Sequence, residues 1–169
     1  KGVLWPHDFL ASLEAERGNL AEAIAHGTFA LDMADALGSA SDEVYCSCCL
    51  ALYRILAGET PEAAGLLRRA LEAGHRIGSR EIRLLQVGLV ALYLSRIGDQ
   101  RSAAPALFVL RYRETAVETP SRPEKMLLEK LAEHCASLPP DVHRRATAQA
   151  SLWSVQIALE HASLALGPG

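Results

Sequence analysis

The chain has 169 residues, 50% hydrophobic and 22% charged, a balance that builds a core and excludes wholesale disorder. Alanine and leucine fill 55 positions and aromatics only 5%, which favours helix over a sandwich or barrel. The net charge of −3 argues against nucleic acid as a direct partner.

No apolar run is long enough for a membrane. The longest uncharged stretch, 146–159, is interrupted by Thr147, Gln149, Ser151, Ser154 and Gln156. Three cysteines crowd into Cys46-Ser47-Cys48-Cys49 and the fourth is Cys135. That is no secreted disulfide framework, and a reduced, cytoplasmic protein is expected. The first residues, Lys1-Gly2-Val3-Leu4-Trp5-Pro6, carry neither an initiator Met nor the apolar core of a signal peptide, so a piece of a longer protein is expected.

In chain order, a first helix ends at Gly18, and Asn19 with Glu22 has the spacing of a capping box for the second. Leu37-Gly38-Ser39 closes that helix. Ser41 is placed to cap a third helix running to about Ala57, where Gly58 supplies the left-handed stop. Thr60 caps a fourth, with Pro61 at its first position, ending near Ile77 at Gly78. Ser79 caps a fifth. Ser102 caps a sixth, so that Pro105 falls in the first turn. Ser121-x-x-Glu124 starts a seventh that runs to about Ser137. After Pro139-Pro140 a single long helix, from about Asp141 to Ala165, is expected with Ala146, Ala150, Trp153, Ile157 and Leu164 on one stripe.

These elements repeat. Gly18-Asn19-Leu20-Ala21-Glu22-Ala23 returns as Gly58-Glu59-Thr60-Pro61-Glu62-Ala63 and, more weakly, as Gly98-Asp99-Gln100-Arg101-Ser102-Ala103, each 40 residues on. The same step aligns Leu10, Leu50 and Val90; Ala11, Ala51 and Ala91; Leu13, Tyr53 and Tyr93; and Ala30, Ala70, Leu110 and Ala150. The units are 1–39, 40–79, 80–118 and an atypical 119–166, the last changed as a capping repeat is. Gly27, Gly65, Gly74 and Gly88 read as close-packing gaps between helices.

The apolar–small pairs Leu10-Ala11, Leu50-Ala51 and Val90-Ala91 before each turn glycine, and Ala23, Ala63 and Ala103 after it, resemble the tetratricopeptide repeat family. Two features depart from that pattern. The period is 40 rather than about 34, and the tyrosines Tyr53 and Tyr93 stand one position early. The longer variant is similar to the arrays of maltose-regulator-like bacterial transcriptional activators and other multidomain bacterial regulators. The resemblance implies an all-α, right-handed superhelix of about four antiparallel helix pairs. It further implies a non-catalytic sensor module, one that binds a protein, a peptide or a small apolar inducer.

Candidate chemistry is sparse. Cys46 and Cys49 share a helix face, but no second ligand pair has zinc spacing, so the cysteines read as small core residues. His7, His26, His75, His134, His143 and His161 form no metalloprotease motif, and His134-Cys135 are adjacent and face apart. No acid, base and nucleophile converge, so neither catalysis nor a cofactor nor a metal is expected. Basic pairs such as Arg68-Arg69 and Arg144-Arg145 read as solvated faces. The concave lining, counted back from each turn glycine, is Trp5, Phe9, Tyr45, Cys49, Leu52, Leu85 and Leu89. These residues are expected to form an apolar recognition strip. The alternative is a structural adaptor for self-association, with a homodimer as one outcome.

Overall fold

The computed structural model describes residues 4–74 and 79–167, with Leu4 and Trp5 described by their backbone alone. The described residues are all-helical, without a strand: α1 (Leu4–Glu16), α2 (Leu20–Ala36), α3 (Ala40–Ala57), α4 (Thr60–Gly74), α5 (Arg80–Arg96), α6 (Ala103–Glu114), α7 (Arg122–Ala136), α8 (Pro140–Ala150) and α9 (Val155–Leu166). The chain divides into two compact units, Lys1–Ile82 and Arg83–Gly169.

The turns follow from one local device. Gly18, Gly58 and Gly98 have φ of 83°, 84° and 75°, a conformation that costs glycine little and other residues much. Behind each of them the same pair of carbonyls is satisfied. The glycine N–H donates to Ala15, Ile55 or Ser95, and the next N–H reaches back to Glu14, Arg54 or Leu94. This double bond closes a helix end and recurs at intervals of 40 residues.

In the first unit α1 packs on α2, α2 on α3 and α3 on α4. Small residues set the spacing: Ala11, Ala23, Ala30, Ala51, Ala63 and Ala70 are all buried. Gly27 lets α2 approach α3 closely, since a Cβ there would stand 3.3 Å from Leu50 Cδ1. Ala30, Leu31, Ala34, Cys46 and Leu50 form the core of that contact. Arg69 ties three helices together, donating to Glu43 of α3 at 2.9 Å and to Asp35 of α2. It is therefore not the purely solvated group expected for the Arg68-Arg69 pair.

In the second unit α6 packs against α7, α8 and α9. A Cβ at Gly88 of α5 would lie 2.9 Å from Leu127 Cδ2 of α7, so that glycine is a true close-approach site. Gly65 is not one, because nothing lies within 4 Å of its added Cβ. Ser102 is the N-cap of α6, and Pro105 falls in the first turn, where its missing N–H is harmless. The Ser102 hydroxyl, however, is spent on His134. The preceding short 3₁₀ turn is capped by Asp99, which accepts from Arg101 N.

Four local expectations are corrected. Asn19 does not complete a capping box; its amide donates to Glu14 at 2.6 Å. Ser39, not Ser41, is the N-cap of α3. α4 already includes Thr60, so Thr60 is not its cap. The single long final helix is two helices, because residues 151–154 leave the helical path and Ser154 accepts from Ile157 N to start α9. The expected end of α4 at Ile77-Gly78 and the residue His75 lie outside the described residues.

Candidate functional site

The expected apolar strip separates into parts. Cys49, Leu52, Leu85 and Leu89 are buried core residues, which corrects their placement in an open groove. The reason is helix order. α3 is covered by α2 on one side and α4 on the other, and Leu85 stands beside Val109 and Leu127. Tyr45 is half-buried, and the Trp5 side chain lies outside the described residues. Among those whose side chains are described, Phe9 alone is widely open, at 53%.

The repeat register explains where open apolar surface remains. Leu10, Leu50 and Val90 occupy one column, yet Leu50 is 3% and Val90 0% exposed while Leu10 is 39% exposed. Leu50 is covered by Ala30, Leu31 and Ala34 of the preceding α2. The equivalent face of α1, at Leu10, is open among the described residues. Phe29 of α2 is also exposed and extends this surface. Its ring centroid is 4.2 Å from that of His7, which lies one helical turn before Leu10 on the same face of α1.

The α1–α2 contact holds a histidine pair that no sequence motif marks. His7 Nδ1 and His26 Nδ1 are 3.1 Å apart, one donating to the other. The signal lay in the turn: His7 and His26 stand at similar distances on either side of Gly18, and a helix pair folded at Gly18 brings such positions together. Asp8, next to His7, has no hydrogen-bond partner among the described residues. Burial pushes its carboxyl up to about 6.

The thiols are inert by position. Burial pushes Cys46 and Cys48 up to about 12, and Cys49 well above the usual thiol value. Cys135 rises to about 11 for the same reason. Thiolate, the reactive form, is therefore scarce at neutral pH. At pH 8 a thiol reagent such as Ellman's is expected to titrate none of the four cysteines in the native chain within minutes, and all four after denaturation. Rapid native labelling of one or more would show that a thiol is open.

His134 and Ser102 form a Ser–His hydrogen bond of 3.0 Å. Ser102 is only 2% exposed, so a substrate cannot reach its hydroxyl. Burial lowers the His134 pKa, and His134 has no second partner among the described residues to orient it. The bond fastens α6 to α7. Among the described residues no group of three or more His, Cys, Asp or Glu could hold a metal, and no described helix is long and apolar enough to cross a membrane.

No protein-family model matches the chain, and no curated protein or solved structure matches it.

Proposed function

We propose that this chain is a non-catalytic, tetratricopeptide-like helical repeat, a right-handed superhelix of about four antiparallel pairs. On this reading it is the protein-binding or sensor module of a larger bacterial transcriptional regulator. Its four free thiols suit a reducing, cytoplasmic compartment. The observation that carries the binding reading is the open Leu10 column. The same column, one repeat later, receives a helix with the alanine- and leucine-bearing stripe Ala30-Leu31-Ala34. The α1 face is accordingly a seat for an amphipathic helix with a similar stripe and basic flanks, since the first unit carries 12 acidic against 7 basic residues.

The second reading is a structural adaptor that self-associates head to tail. It is favoured by charge asymmetry, because the second unit has 10 basic against 8 acidic residues.

Selecting helical peptides from a displayed library against the folded chain separates these readings. Binders are expected to converge on a helix with an alanine- and leucine-bearing stripe, and to weaken about tenfold or more on Phe9→Asp or Leu10→Asp. Both residues are exposed, so unfolding temperatures should hardly move. Binders indifferent to both substitutions would refute the α1 seat. A dimer in sedimentation that these substitutions leave intact would favour the adaptor.

A further inference from the structure

The second unit carries an independent feature at the break between α8 and α9. Nothing in the sequence 146–159 demands a break there, since it holds no glycine or proline. The chain nevertheless turns out of the helix after Ala150, and Trp153 lies against Phe108 of α6, with ring centroids 6.1 Å apart. His161 of α9 stacks on the indole at 4.6 Å and 18°. Phe108 in turn meets Tyr112 at 6.2 Å. The indole is thus fixed between two helices before any ligand arrives.

The rings of Phe108, Tyr112 and Trp153 wall a cleft of about 220 Å³ whose lining also includes Arg111, Thr115, Ala150 and Ser151. That volume lies below the roughly 300–1,000 Å³ of pockets for drug-sized ligands, which limits an occupant to about one ring with a small substituent.

The polar inventory of the cleft decides the occupant's chemistry. Two helices end here, and carbonyls at a helix end would ordinarily attract donors. In this cleft several of those carbonyls are already engaged. Tyr112 O accepts from Thr115 N and Oγ1, and Arg113 O from Ala116 N. Ala148 O accepts from the Ser151 hydroxyl, Gln149 O from Leu152 N and Ala150 O from Trp153 N. The Thr115 and Ser151 hydroxyls have therefore spent their hydrogens, and the Tyr112 phenol is the third hydroxyl of the lining. The charged group of the lining is the guanidinium of Arg111, which is exposed and has no acidic partner among the described residues. It presents donors in a planar fork that matches a carboxylate. The free capacity of the cleft is thus an aromatic wall beside a cationic donor.

We propose that this cleft binds a single-ring aromatic carboxylate, with its ring against Trp153 and Phe108 and its carboxylate on Arg111. The acid comes either free or as the C-terminal aromatic residue of a peptide; both present the same groups to the site.

The test titrates the intact chain and follows the Trp153 indole N–H by NMR, with Trp153→Phe assigning the signal. Benzoate represents the free acid and N-acetyl-L-phenylalanine the peptide C-terminus. Benzyl alcohol supplies the ring without the charge, and acetate the charge without the ring. At least one of the two aromatic carboxylates is expected to shift the signal saturably. Benzyl alcohol should be about tenfold weaker or more, the size of one charge-assisted hydrogen bond, and acetate should give no saturable shift. Arg111→Gln, at an exposed position, should weaken the carboxylate about tenfold and leave benzyl alcohol unchanged. Saturation by only one of the two acids identifies its source. No saturable shift with either, or equal affinity in Arg111→Gln, would overturn the proposal.

Discussion

Replacing Tyr53 by alanine is expected to destabilise the first unit by about 3–5 kcal/mol, the range for removing a fully buried aromatic ring. Tyr53 is wholly buried and lies under Gly27 of α2, where its Cδ2 would be 3.4 Å from an added Cβ. No small residue can refill that contact. Its repeat equivalent, Tyr93, is half-buried, so Tyr93→Ala should cost clearly less, about 1–2 kcal/mol. The two tyrosines share a sequence column and not an environment. Tyr53→Phe separates ring from hydroxyl. The hydroxyl is buried without a hydrogen-bond partner among the described residues, so its removal should be neutral or stabilising by up to about 1 kcal/mol. Urea unfolding of the three variants measures this. A loss above about 1 kcal/mol in Tyr53→Phe would reveal a partner for the hydroxyl.

Asp8→Asn is expected to stabilise the protein above pH 6 and to leave it unchanged near pH 3. The sign follows from proton binding. Burial raises the folded-state carboxyl from 3.8 to about 6, so between those values the folded chain holds a proton that the unfolded chain has lost. Stability therefore falls as pH rises through this window, and the full cost is present above it. Two pKa units correspond to at most about 3 kcal/mol, and partial solvent access reduces this to about 1–2 kcal/mol. His134, whose pKa burial lowers, acts in the opposite sense: its stabilising contribution is lost as pH falls below its unfolded value. The wild-type-minus-variant difference isolates Asp8 from it. A difference that does not vary between pH 4 and pH 7 would show that Asp8 is fully solvated in the native state.

Local chemistry was legible in the sequence. The turn glycines at 18, 58 and 98 announce helix ends because a left-handed residue after a helix is nearly always glycine there, and all three have that conformation. The alanine columns announce buried contacts because close helix approach admits only small side chains. The all-helical class follows from the same residues. Each of these properties depends on a residue and its near neighbours along the chain.

Exposure was decided only by the tertiary structure. Leu10, Leu50 and Val90 look alike in sequence, yet one is open and two are buried, because burial depends on whether another helix lies across the position. The same reason removed Cys49, Leu52, Leu85 and Leu89 from the recognition strip and left Phe9 on it. The break at 151–154 was equally hidden. Uncharged residues 146–159 satisfy a helical pattern, yet at the break Trp153 meets Phe108, 45 positions earlier in the chain. Helical periodicity records which face of a segment is apolar; what that face meets is fixed by side chains far away in sequence.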